Sequence, residues 1–268
     1  MKRKYTYPLL MMVVITLIVL GEKYIENQEK NELVKAGEVV KSQELSFFFP
    51  KAESNTLVHH EYYTLSYNEP AEQAAWVAYM LTRDELKRVE VSRPYFDIDA
   101  AVMTGAADWR NYKNSGYDRG HLCPAGDRSF SSQAYNEAFL TSNISPQLHE
   151  FNNGVWNRLE NQVRDWARGY DKVTIVTGGV LADPLATIGH ENVIVPRAFY
   201  KIVLRETASG YTCLAFLIPH SESDRDLKAF VVSVDSLEAV TGIDFFPKLE
   251  NSEENRIEKE KLLKDWKF

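Results

Sequence analysis

The chain has 268 residues, a formal net charge of −7, and apolar and charged fractions of 44% and 26%, which suffices for one large domain with appendages. The lack of net basic charge argues against a histone-like or base-reading DNA protein, but not against an enzyme that touches a few phosphates and releases them. Two cysteines, Cys123 and Cys213, cannot build a metal cluster. They read as small buried hydrophobes, with a disulfide as the alternative.

Lys2, Arg3 and Lys4 precede an uncharged run from Pro8 to Leu20, the pattern of an export signal. The run is shorter than the roughly 20 residues that a spanning helix prefers. Val19-Leu20-Gly21 offers a cleavage point; an uncleaved membrane anchor and a buried core helix are the alternatives. Residues 1–21 as signal or anchor imply a bacterial protein whose catalytic part is periplasmic, extracellular or membrane-anchored. Residues 22–54 alternate Glu and Lys and read as a charged stalk. Residues 55–250 are expected to be the folded domain, and 251–268 a charged helix with one apolar stripe.

Within the domain, residues 57–67 read as one strand, rich in β-branched and aromatic side chains. After Asn68-Glu69-Pro70, residues 73–81 read as a second strand buried on both faces. Adjacent His59 and His60 would face opposite ways, a poor metal pair. Residues 83–90 read as loop or short helix, and 91–99 as extended, because the residue before Pro94 avoids the helical region. Ser131 or Ser132 can cap a short helix ending near Leu140, followed over residues 140–147 by strand and then turn. Trp156, Leu159, Val163, Trp166 and Tyr170 give a helix from about Phe151 to Arg168. Residues 172–180, 193–204 and 211–218 read as strands. Ser223 or Asp224 caps a brief helix, and residues 233–241 form another, closed by Gly242.

Chemistry concentrates in two places. Asp118-Arg119-Gly120-His121 sits mid-chain; in an extended segment Arg119 and His121 share one face and Asp118 takes the other. Gly120 lets a neighbour approach the backbone closely. An imidazole beside a guanidinium suits an anionic substrate. Downstream, Asn152, Trp156, Glu160 and Arg164 are spaced by four and predict one helical ridge. Asn152 offers a neutral carbonyl oxygen, which Mg2+ tolerates because it keeps several waters and gains charge from substrate phosphate. Glu160 would then accept from metal-held waters. Asn152 as a mere helix cap (with Asn153 as the rival cap) and Glu160–Arg164 as an exposed ion pair are the plainer readings. Trp156 and Trp166 read as core.

The runs Asp-Arg-Gly-His-Leu-x-Pro (118–124), Ser-Asn-Ile-Ser-Pro-Gln (142–147) and Phe-Asn-x-Gly-x-Trp-x-x-Leu-Glu-x-x-x-Arg (151–164) together resemble the DNA/RNA non-specific endonucleases. These are ββα-metal, or His-Me finger, nucleases related to mitochondrial endonuclease G. The resemblance runs from about Leu57 to Leu249. It implies an α+β fold, a central antiparallel sheet flanked by helices, with a ββα-metal unit. It implies His121 as general base, Asn152 as the sole direct protein ligand of Mg2+ (Mn2+ or another divalent cation substituting), and Glu160 behind it. Arg93 and Arg119 would stabilise the phosphate, Asn143 would help fix the imidazole, Arg164 would be a supporting phosphate or carboxylate partner, and Asp118 would brace the loop. The expected substrates are DNA and RNA, held through phosphate contacts and cut with weak sequence preference; the membrane is a partner if the N-terminal segment stays uncut. A catalytically silent binding protein on the same fold would lack His121 or Asn152, and both are present. A zinc peptidase would need a metal-ligand cluster such as His-Glu-x-x-His, which does not occur.

Overall fold

The alternation of apolar side chains along the strands builds the molecule around one antiparallel sheet. In the computed structural model, residues 12, 16–17, 20–25, 44–51 and 55–268 are described. Most of the proposed signal or anchor and of the charged stalk lies outside them. Seven strands are ordered β1-β2-β3-β6-β9-β10-β11: β1 Thr56–His59, β2 Thr64–Asn68, β3 Gln73–Thr82, β6 Lys172–Gly179, β9 Ala198–Thr207, β10 Gly210–Pro219 and β11 Val231–Val232. Every neighbouring pair is antiparallel.

Period-two alternation gives the sheet two covered faces. Phe199 and Val203 of β9, with Leu214, Phe216 and Ile218 of β10, join a core shared with Trp156, Leu159, Val163 and Trp166 of the long helix. On the other face Tyr200 stacks edge-on to Phe245, and the Cys213 thiol donates to the Ile257 carbonyl. There lie α4 (Val234–Thr241) and α5 (Asn251–Lys259). Residues 47–268 form one compact unit. The C-terminal stretch belongs to its core, since Trp266 packs edge-on against Trp166.

A second, two-stranded sheet carries the central motif. β4 (Asp118–His121) pairs antiparallel with β5 (Ile144–Gln147), Asp118 opposite Gln147 and His121 opposite Ile144. β5 leads into α2 (His149–Phe151), a π-helical turn over Asn152–Trp156, and α3 (Asn157–Tyr170). This is the expected ββα unit. A third small sheet pairs β7 (Ala186–Ile188) with β8 (Val193–Val195). α1 spans Ser132–Glu137, and the Ser131 hydroxyl accepts the Ala134 N–H as its cap.

Several expectations need correction. Residues 57–67 are two strands, β1 and β2, folded back through a turn at residues 60–63; a run of strand-forming residues does not show where it reverses. Residues 140–147 run in the opposite order, a 3-10 turn at Thr141–Asn143 and then β5. Residues 193–204 are split at Pro196, which cannot donate to a ladder, into β8 and β9. The brief helix after Pro219 is a 3-10 turn, Leu227–Phe230, capped by Asp226. α5 ends at Lys259 rather than running to Phe268. Both cysteines are free and buried.

Candidate active site

The motif strand β4 is held down by a glycine contact. The side chain of Gln147 lies where a Cβ on Gly120 would be, 2.2 Å away at the nearest, so glycine here leaves room for the buried Gln147 side chain across β4. Arg119 and His121 then share one face, as alternation predicts. Both touch Phe96: the Arg119 guanidinium lies 5.3 Å from its ring centroid and the His121 ring 5.5 Å. Phe139 meets the imidazole edge-on at 4.9 Å and carries Arg93 at 5.6 Å. Arg119 also faces Trp109 at 5.5 Å and donates from Nε to its carbonyl at 3.4 Å. Arg93, Pro94, Tyr95, Phe96, Trp109 and Arg119 line a cleft of about 560 Å³. The structure thus brings Arg93, Arg119 and His121 together.

His121 is partly buried, and its Nε2 is covered with no hydrogen-bond partner among the described residues. Burial, and then the charge of Arg93, bring its pKa down to about 4. The ring is therefore neutral at pH 7, with a nitrogen able to take a proton. Asn143 acts one step away from the ring. Its Oδ1 accepts the Cys123 N–H at 2.8 Å, and its Nδ2 donates to the Cys123 and Ala138 carbonyls, each at 2.9 Å. It fixes the backbone just after His121 from the 3-10 turn before β5, not from within the strand.

The helix departs from a straight ridge. In the π turn the chain winds wider than an α-helix, and Gly154 takes φ −95° and ψ −111°. Glu222 closes the irregularity: its carboxylate accepts the Val155 N–H at 3.1 Å. That carboxylate would lie 1.7 Å from a Cβ on Gly154, so a larger residue here would have to displace the exposed Glu222 side chain. Asn152 lies inside helical backbone at φ −60°, ψ −48°, so neither it nor Asn153 caps the helix. Its Nδ2 donates to the Asp118 carboxylate at 3.1 Å. An ionised carboxylate only accepts, so this contact turns the amide nitrogen toward β4 and leaves Oδ1, which accepts no hydrogen bond among the described residues. Exposed His149 shares the same Asp118 oxygen, from Nδ1 at 3.0 Å. A neutral oxygen with nothing to accept, beside a carboxylate, fits a hydrated divalent cation.

Glu160 and Arg164 are not an exposed pair, their side chains being 14% and 8% exposed. Arg164 donates from Nε to Asp127 Oδ1 at 2.6 Å and from Nη2 to Glu160 at 3.5 Å; it is a carboxylate partner under the site. Tyr79 donates to the second Asp127 oxygen at 3.0 Å. Lys201, fully buried on β9, places Nζ 4.7 Å from the Trp156 ring centroid, with no hydrogen bond among the described residues. Burial raises the Glu160 pKa to about 7 against the opposing charges of Lys201 and Arg164.

Sequence reasoning passed over Asp127, Lys201, His220 and Glu222. A lysine inside an otherwise apolar strand was a usable signal for Lys201. His220 had none beyond its place after Pro219; it accepts the Leu148 N–H on Nε2 at 2.8 Å and bonds the Pro196 carbonyl through Nδ1 at 2.8 Å. The two bonds fix one neutral tautomer and pin the start of the helix to the end of β10. Burial lowers its pKa, in keeping with that neutral form.

An α+β core bearing a ββα unit, with an imidazole beside two arginines, is the arrangement expected of the ββα-metal class. Residues 42–252 match the DNA/RNA non-specific endonuclease family, and the chain belongs to it. It is 32% identical over 229 residues to mouse mitochondrial nuclease EXOG, covering 78% of this chain and 62% of that protein. It is likewise 32% identical over 209 residues to human mitochondrial endonuclease G, 72% of this chain and 70% of that one. The chain thus spans about three fifths of the mouse relative's length. Among solved structures, a chain of the EndoG/EndoGI complex superposes with a TM-score of 0.72 at 28% identity, over 79% of this chain and 93% of its own. These relatives overturn one expectation. Mouse and human EXOG and human endonuclease G are mitochondrial, so a bacterial, exported or membrane-anchored catalytic domain is not supported. No helix among the described residues is long and apolar enough to cross a membrane.

Proposed function

We propose that the protein hydrolyses phosphodiester bonds of DNA and RNA without sequence preference. The observation that carries this is His121: a neutral, partly buried imidazole set between Phe96 and Phe139 beside a cleft that bears Arg93 and Arg119. His121 takes the proton of the attacking water, a contribution of about 10²- to 10⁴-fold in rate. Arg93 and Arg119 bind the phosphate oxygens and offset the charge that grows there. Asn143 holds the backbone that aims the imidazole.

Asn152 would hold a divalent cation, Mg2+ or Mn2+, through Oδ1, and Glu160 would meet it through water. When bound, the cation supplies Lewis-acid charge at the phosphate and its leaving oxygen. Asp118 orients the Asn152 amide, and the buried Asp127–Arg164 pair steadies Glu160 from below. The residues gathered at the cleft suit phosphate and ring faces more than the donor–acceptor pattern of base edges, which supports weak sequence preference.

The test is digestion of supercoiled plasmid and of single-stranded RNA, with Mg2+ and with a chelator. Both substrates should be cut at many positions with Mg2+ and neither with the chelator. Cleavage that survives chelation, or that falls at one defined sequence, would refute the reading.

A further inference from the structure

On the sheet face away from the cleft, α4 and α5 gather three carboxylates: Asp235 and Glu238 from α4, and Glu258 from α5. One oxygen of each lies within 4.8 Å of the other two. Asp235 and Glu238 are three residues apart and so share a helix face.

Glu258 makes this more than an acidic surface. It is 8% exposed, its Oε1 is fully covered without a hydrogen-bond partner, and it forms no ion pair among the described residues. Its surroundings add negative charge. Burial first, then repulsion from Glu238, Glu254, Asp235 and Asp244, push its carboxyl up to about 8. Arg256, two residues earlier on α5, is committed to Glu253 and to the Tyr211 carbonyl. Glu238 spends one oxygen on the Phe245 N–H at 2.8 Å, leaving the other. A buried carboxylate with no donor facing it is costly unless something positive fills the gap.

The ligand set favours one ion. Three protein carboxylates that converge within 4.8 Å, away from any phosphate-binding cleft, suit calcium, which takes many oxygen ligands in flexible geometry; magnesium usually keeps several waters and takes one or two carboxylates beside a substrate phosphate.

We propose that Asp235, Glu238 and Glu258 form a structural calcium site that ties α4 to α5. It is separate from the cleft. It steadies this face of the sheet, because the residue before Glu258, Ile257, is fully buried and accepts the Cys213 thiol through its carbonyl.

The experiment is thermal unfolding of the full chain in saturating Mg2+, with and without Ca2+. At a hundredfold excess over its Kd, Ca2+ should raise the wild-type midpoint by about 5–10 °C. Glu258→Gln should lose this response, while its midpoint without Ca2+ stays close to that of wild type, because the amide matches the carboxyl in size and breaks no hydrogen bond at the covered Oε1. Asp235→Asn, at an exposed position, should weaken the Ca2+ response about tenfold in concentration. Plasmid cleavage in saturating Mg2+ should be unchanged in both variants. The proposal is overturned if Ca2+ leaves the wild-type midpoint where it was. It is also overturned if Glu258→Gln responds like wild type, which would put the ion elsewhere. A midpoint that rises only as pH falls through about 8, with no calcium response, would make a proton the occupant instead.

Discussion

The Asn152 amide donates to the Asp118 carboxylate at 3.1 Å, joining the π turn of the helix to strand β4 three residues before His121. The contact decides which atom of the amide is left to accept. Asp118→Ala removes the acceptor and lets the amide rotate. Cleavage should fall about 10- to 100-fold, as when a partner that orients a metal ligand is lost, with little change in the unfolding midpoint because Asp118 is half exposed. Full activity in Asp118→Ala would show that Asn152 needs no orienting.

Gly154 and Glu222 are a matched pair, the glycine leaving room for the carboxylate that satisfies the Val155 N–H. Gly154→Ala places a methyl on that carboxylate. Exposed Glu222 should swing off the Val155 N–H, costing about 0.5–1.5 kcal/mol, the net worth of one hydrogen bond, and cleavage should slow as Asn152 moves. Chemical denaturation measures the first effect. Glu222→Ala alone should cost a similar amount, and the two changes together little more than either; full additivity would mean that this hydrogen bond is not what the alanine breaks.

Asp127 and Arg164 form a buried ion pair at 2.6 Å, their side chains 1% and 8% exposed. Removing Asp127 leaves the Arg164 guanidinium with only its longer 3.5 Å contact to Glu160 and leaves the Tyr79 hydroxyl without its acceptor. Asp127→Ala should therefore cost about 3–5 kcal/mol, read by chemical denaturation. A cost under about 1 kcal/mol would place the pair in a more solvated setting than the structure gives.

In the proposed role of base, His121 must be neutral. Burial and the Arg93 charge lower its pKa to about 4, so the competent form persists until pH falls through that value, not through the ordinary value of about 6.5. Glu160 titrates nearer 7 and overlays its own limb, so the histidine limb is read in Glu160→Gln. There kcat/KM should hold from pH 7 to about 5 and fall by half near 4. Arg93→Gln, which removes a repelling charge, should move that limb upward. A limb near 6.5 in Glu160→Gln would contradict the burial of the imidazole.

Much of this site is legible in local sequence. Alternation put Arg119 and His121 on one face, and the apolar spacing of Trp156, Leu159, Val163 and Trp166 gave α3 and its buried side. What escaped reading has two physical sources. One is chain reversal without glycine or proline: residues 60–63 turn between β1 and β2 with no such signal. The other is tertiary satisfaction. The four-residue spacing from Asn152 to Arg164 suggested a straight ridge, but a carboxylate from residue 222 allows the helix to widen at Gly154. Asp127, Lys201 and His220 draw their importance from partners 24 or more residues away, which no window of sequence contains. The N-terminal basic and apolar run suggested export. That inference used the order of charge and apolar residues alone, and the mitochondrial relatives do not support it.

The most direct measurement is the initial rate of supercoiled plasmid nicking in Mg2+ by His121→Ala beside the wild-type chain, with matched unfolding midpoints confirming that both are folded. Loss of the base should slow nicking about 10²- to 10⁴-fold. Nicking by folded His121→Ala at the wild-type rate would contradict the assignment of the imidazole as the group that activates water.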